Sequence, residues 1–98
     1  MSRAVVVRYR VKPDAVQENL QLVGSVYAEL AATRPAGLSY STYRVDERTF
    51  VHVAIIEGTD NPLDATTAFH AFTAGIGERC EELPHVAGGE LVGSYYSG

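Results

Sequence analysis

Hydrophobic and polar positions recur along this chain with two different periods, and the changes of period mark its elements. From Arg3 to Val11 the period is two: Val5, Val7, Tyr9 and Val11 share one face, Ala4, Val6, Arg8 and Arg10 the other. The period then lengthens. Val16, Leu20, Val23, Tyr27 and Leu30 fall at steps of four and three, the apolar stripe of a helix. Pro13 suits its first turn, and Asp14 and Glu18 suit the positive end of its dipole. Gly24 lies inside this helix and is read as a point of close approach to a sheet. Arg34-Pro35-Ala36-Gly37 ends it.

Leu38 to Val45 alternates again, and the polar Asp46-Glu47-Arg48 leads into TFVHVAIIEG, Thr49 to Gly58. From Phe50 to Ile56 that run is apolar except for His52, the pattern of a central strand buried on both faces. A second helix start follows, with Asn61 as N-cap, Pro62 as first helical residue and Asp64 placed to reach back to the cap. Ala65, Phe69, Phe72, Ile76, Cys80 and Leu83 then draw a helical stripe that Pro84 stops. Ala87-Gly88-Gly89 turns into a last strand, Glu90 to Tyr96.

The order is strand, helix, strand, strand, helix, strand over a single domain, residues 1–98. Right-handed crossovers for both halves give an α+β, ferredoxin-like βαββαβ fold: a four-stranded antiparallel sheet ordered 4-1-3-2, both helices on one face. An odd-length turn at Asp46 to Arg48 places Leu38, Tyr40, Thr42 and Arg44 on the same face as Phe50, His52, Ala54 and Ile56. A two-residue turn at Glu47-Arg48 would instead bring Tyr43 opposite His52; the first register is preferred. Val51, Val53 and Ile55, all β-branched, are assigned to the helices. The His52 set then shares the open face with Ala4, Val6, Arg8 and Arg10. So large an open apolar face predicts a second copy packed sheet against sheet, a homodimer.

Composition narrows the function classes. Eight basic against 12 acidic residues give a net charge of −4, which does not suggest nucleic acid. No run reaches the ~18 apolar residues of a membrane span, and arginines interrupt the apolar start, so neither membrane nor leader is expected. One cysteine, Cys80, excludes an intrachain disulfide and fits a reducing, cytoplasmic setting. Its place in a helical stripe predicts an inert buried thiol. His52, His70 and His85 lack ligand spacing, so no metal is expected. The glycines at 75, 77, 88 and 89 do not follow a strand as a phosphate loop would.

PAGLSYSTYR, TFVHVAIIEG, AFHAFTAGIGERC and the closing ELVGSYYS resemble the antibiotic biosynthesis monooxygenase family over nearly the whole chain. The resemblance implies a dimeric α+β barrel with a pocket between each sheet and its helices or inside the barrel. It also implies oxidation of a small phenol or hydroquinone by O₂ without metal, flavin or other cofactor. Some members degrade haem. This chain has no tryptophan, and Ile56 stands where those relatives commonly place one, which argues against haem chemistry.

His52 lies where the quinone-forming relatives carry an active-site asparagine. A neutral imidazole there can take a phenolic proton, and the alternative is a histidine bonded across the dimer interface. Arg44 matches a polar position on the second strand of the same relatives, and Arg8 is expected on the same face. Their guanidiniums could hold a phenolate or reduced oxygen, or else form salt bridges at the barrel rim with Glu57 or Glu90. Tyr40, Phe50, Ile56 and Phe69 are expected around the substrate; Tyr43, Tyr95 and Tyr96 suit a pocket or an interface. His70 reads as a flanking surface residue. The readings left open are a monooxygenase, a non-catalytic homodimer binding a small hydrophobic ligand, and a lyase or isomerase using the same base.

Overall fold

The computed structural model describes residues 2–96. Met1, Ser97 and Gly98, the ends of the expected domain and of the ELVGSYYS run, lie outside the described residues. The strands are β1 (Arg3–Val11), β2 (Leu38–Arg44), β3 (Thr49–Ile56) and β4 (Cys80–Glu90), and the helices α1 (Val16–Thr33), α2 (Thr67–Ala74) and the single turn α3 (Ile76–Arg79). Every pairing is antiparallel and the sheet order is β2-β3-β1-β4, the expected order read from the other edge.

The β2–β3 hairpin has the preferred register. Thr42 pairs with His52 and Tyr40 with Ala54. Asp46 fixes the turn, its carboxylate accepting from the amides of Arg48 and Thr49 and from the Thr49 hydroxyl at 2.8–3.0 Å. Gly37 enters β2 at φ 76°, a left-handed conformation that its missing Cβ permits.

Three expectations are corrected. The first concerns the two faces of the sheet. β1 pairs with β3 so that Val7 faces His52 and Tyr9 faces Phe50. The face of Phe50, His52, Ala54 and Ile56 therefore also carries Val5, Val7, Tyr9 and Val11, and it is this face that the helices bury. Val51, Val53 and Ile55 are half-buried on the opposite, open face with Ala4, Val6 and Arg8. Beneath the helices the rings of Tyr9, Phe50, His52 and Tyr40 pack among β-branched Val5, Val7, Val11 and Ile56, and the polar tips there find partners in one another.

Second, the second helical segment ends earlier and the last strand starts earlier. Gly75 separates α2 from α3, and Cys80 begins β4, which runs to Glu90 instead of starting there. Pro84 lies inside this edge strand rather than after a helix. The pairing shifts from Arg8–His85 to Arg10–Glu82, so Leu83 and Pro84 share a bulge where a missing N–H is tolerated. Leu91 to Tyr96 have no regular structure, and Tyr95 and Tyr96 are exposed.

Third, Gly24 makes no close approach, since a Cβ there would meet nothing within 4 Å. Asn61 does cap, its side chain accepting from the Leu63 amide at 3.0 Å, but the turn it opens is a short 3₁₀ segment (Pro62–Ala65). α2 is capped from another helix altogether. The Glu29 carboxylate of α1 accepts from the amides of Thr67 and Ala68, both at 2.8 Å, which satisfies two otherwise unpaired donors and complements the dipole. Cys80 is a buried free thiol, as expected, though at the head of a strand.

Candidate functional site

Between the sheet and the α2–α3 segment lies a cavity of about 310 Å³. Strand alternation builds its floor, since Val5 and Val7 of β1 and Val86 of β4 point the same way. The helical spacing of Phe69, Phe72 and Ile76 builds its wall. The surface is almost wholly apolar. Its main polar feature is the side where Tyr40 and His52 meet.

His52 is 4% exposed, and both ring nitrogens are engaged. Tyr9 Oη lies 2.7 Å from Nε2, while Tyr40 Oη and Thr42 Oγ1 lie 2.8 and 3.0 Å from Nδ1. The contacts extend in both directions. Asn19 donates its amide N–H to Tyr9 Oη at 2.9 Å, and the Arg79 Nε–H donates to Asn19 Oδ1 at 3.2 Å. On the other side Tyr27 Oη is 2.7 Å from Thr42 Oγ1. Rings hold the same groups in place: the Tyr9 ring stacks on Phe50 at 5.6 Å and on His52 at 5.3 Å, and the Arg79 guanidinium sits 5.2 Å over Phe72.

Burial sets the protonation states. It pushes the His52 pKa down to about 4, because a cationic ring has no charged partner there, so the imidazole is neutral near pH 7. It pushes the phenols of Tyr9 and Tyr40 well above their ordinary value, against a smaller opposing effect of hydrogen bonds from Asn19 and Thr42 respectively. The cluster is thus a set of fixed, uncharged donors and acceptors with one cation, Arg79, at its far end.

Of the seven residues singled out from sequence, the structure brings His52, Tyr40 and Phe69 together at the cavity. Phe50 and Ile56 are buried in the core nearby, at 1% and 0% exposure, and do not line it. Arg44 shares the His52 face by register but is exposed at the end of β2, where its Nε and Nη2 donate to the Glu47 carbonyl at 3.1 and 2.8 Å. Arg8 is exposed on the opposite face. Rim ion pairs do form, though from Arg10 and Arg48 to Glu81 and Glu82. His70 is exposed and bonds the Asp64 carbonyl. No group of three or more possible metal ligands occurs among the described residues. No described helix is long and apolar enough to cross a membrane.

Sequence reasoning missed Tyr9, Asn19, Thr42, Phe72 and Arg79 as parts of one site. Two of them left a signal. Asn19 falls three residues after Val16 and four before Val23, a polar group on an apolar stripe, and Tyr9 falls among valines on the buried side of β1.

No protein-family model matches the chain, and no curated protein matches it. Solved structures do. A protein of unknown function from Nitrosomonas europaea superposes with a TM-score of 0.78 at 15% identity, covering 99% of this chain and 95% of that one. A "putative antibiotic biosynthesis monooxygenase" from Caulobacter crescentus gives 0.75 at 21% identity, over 94% and 91% of the two chains. A third structure, named antibiotic biosynthesis monooxygenase, gives 0.65 at 24% identity over 93% and 99%. These likenesses show the fold: the chain has the ferredoxin-like fold of the structures named antibiotic biosynthesis monooxygenases.

Proposed function

We propose that this protein is a cofactor-independent monooxygenase that oxidises a small phenol or hydroquinone with O₂ in the cavity beside Tyr40 and His52. The observation that carries the reading is the cavity itself, lined mainly by apolar side chains, with Tyr40 and His52 on one side and Asn61 and Thr73 as its other polar residues. Its volume of about 310 Å³ is at the small end for ligand sites, a fit for one or two fused rings. Phe69 and Phe72 offer faces to an aromatic ring, and Tyr40 offers its hydroxyl to a ring oxygen.

The chemistry balances with the substrate as the only reductant. A phenol and O₂ give a quinone and water. One oxygen atom bonds to a ring carbon and replaces its hydrogen, the O–O bond breaks, and the other atom leaves as water with two hydrogens from the substrate. The ring loses four electrons and O₂ gains four. The protein supplies orientation, exclusion of water and a hydrogen bond to the ring oxygen that becomes a carbonyl. Arg44 and Arg8 have no part in this reading because their guanidiniums lie outside the cavity.

The reading includes a homodimer, with Val51, Val53 and Ile55 of each open face packed against the partner, and a reducing compartment such as the cytoplasm. Oxygen uptake by the purified protein, measured over a panel of monocyclic and bicyclic phenols and hydroquinones, tests the activity. Uptake above spontaneous oxidation, with a quinone spectrum appearing, is expected. Uptake no faster than without protein across the panel would overturn it. One observation favours a second reading, a binding protein without turnover: both nitrogens of His52 are already engaged, so the cavity holds no free base. Ligand binding without oxygen uptake would select it.

A further inference from the structure

The direction of each hydrogen bond beneath the helices follows from one charge. Arg79 can only donate, and it gives Nε–H to Asn19 Oδ1 and Nη2–H to the Phe72 carbonyl. That fixes the Asn19 amide, so its N–H donates to Tyr9 Oη. The Tyr9 hydrogen then has one acceptor within reach, His52 Nε2. Were Nε2 the protonated nitrogen, the Tyr9 hydroxyl would be buried with no acceptor. The neutral ring therefore carries its proton on Nδ1 and shares it between Tyr40 Oη and Thr42 Oγ1. The Tyr40 oxygen thus accepts from the imidazole N–H, and its own hydrogen remains for the cavity it lines.

We propose that Arg79, Asn19, Tyr9 and His52 form a one-way chain of donors that presents the Tyr40 hydroxyl hydrogen to the cavity, so that the site takes its ligand by an acceptor oxygen and favours a phenolate over the neutral phenol. This rests on the reading that the cavity holds an oxygenated aromatic compound. Arg79, Asn19 and Tyr9 are positioning residues and Tyr40 is the group that touches the ligand. Two further observations point the same way. Arg79 is 5% exposed and has no carboxylate within ion-pair distance among the described residues, so a buried cation stands at the start of the chain. Its charge polarises each link outward and strengthens the last donor, which an anionic oxygen would use best. The raised Tyr40 pKa keeps that donor in place as the phenolate of a more acidic ligand forms beside it.

The first test needs no ligand. Nitrogen-15 NMR of His52 should show Nδ1 protonated and Nε2 bare. The opposite tautomer would overturn the proposal. Asn19→Asp offers only acceptors to Arg79 and Tyr9, so the Tyr9 hydrogen turns away from His52, the ring changes tautomer, and Tyr40 donates back to Nδ1. An unchanged His52 tautomer in that variant would also overturn it.

The second test uses 4-nitrophenol, whose ionised form is seen by absorbance, with 4-nitrotoluene as apolar control. The phenolate-to-phenol affinity ratio should fall about tenfold in Tyr40→Phe, a loss of about 1.4 kcal/mol, while 4-nitrotoluene still binds. The same ratio in wild type and Tyr40→Phe would overturn the chain and leave the cavity reading standing. Failure of both nitro compounds to bind wild type would overturn the two together.

Discussion

The two faces of this sheet are made of alternate residues of the same strands, yet their chemistry is opposite. On the covered face, Tyr9, His52, Tyr40 and Thr42 bring polar groups inside, and helices contribute Asn19 and Arg79 to satisfy them. On the open face, Val51, Val53, Ile55 and Val6 are apolar, half-buried and without polar partners. The lesson concerns where a polar ring can be tolerated. It lies where a second layer can surround it with donors and acceptors, while the polar groups of the open face, such as Arg8 and Ser41, reach solvent beside Val51, Val53 and Ile55.

The largest test of this contrast places one charge on each face of β3. Ala54 is 4% exposed on the covered face, so Ala54→Asp should destabilise the fold by about 4 kcal/mol or more, seen as loss of a cooperative thermal transition. Val53→Asp, one residue away, should leave a folded chain that light scattering finds monomeric, against the dimer proposed for the wild type. A wild-type thermal transition in Ala54→Asp together with its loss in Val53→Asp would show that the two faces have been exchanged.

Of the two faces, the covered one holds the buried histidine, His52, through which pH acts on stability. The unfolded chain takes up a proton on His52 near pH 6.5, and the folded chain does so only near 4. The unfolded state thus binds more protons between those values, so the His52 contribution is complete above pH 6.5 and is lost as pH falls towards 4. The loss is roughly 3 kcal/mol. Denaturant unfolding at pH 7 and pH 4.5 should show a drop that is smaller in His52→Gln; equal drops would contradict the depressed pKa.

Smaller effects separate the parts of the covered face. Tyr9→Phe removes one hydroxyl and leaves the Asn19 amide and His52 Nε2 unpartnered, which should cost about 2 kcal/mol. Glu29→Ala removes the cap on α2 and should cost about 1 kcal/mol, with faster amide exchange at Thr67 and Ala68. Unchanged exchange there would deny Glu29 that role.

Much of the fold was legible in the residues. Period-two alternation placed β1 and β2, and a continuous apolar run placed β3, nearly to the residue, and the three-residue turn at Asp46 to Arg48 set the hairpin register. The choice of face was not legible from β3 alone, because both of its faces are apolar. The information lay in Asn19 and Tyr9, polar groups on stripes otherwise apolar, whose need for each other fixes which side the helices cover. The end of the second helical segment was hidden for a different reason. Cys80 continues the spacing of Phe69, Phe72 and Ile76, so the stripe runs on into a strand without a break in pattern. His52 and Tyr40 were read onto one shared face, and Phe69 onto a helical stripe; the three meet because that face is the one the helices cover. Arg79 was missed because its hydrogen bond to Asn19, across 60 positions of sequence, leaves no local mark.

The central claim is that the ligand site lies beneath the helices. The most direct measurement is methyl NMR of the protein, labelled at its Val, Leu and Ile side chains, during titration with 4-nitrophenol. Shifts should concentrate at Val5, Val7, Leu63, Ile76 and Val86, which line the cavity, and leave Val51, Val53 and Ile55 in place. Shifts confined to Val51, Val53 and Ile55 would put the site on the open face and contradict the account.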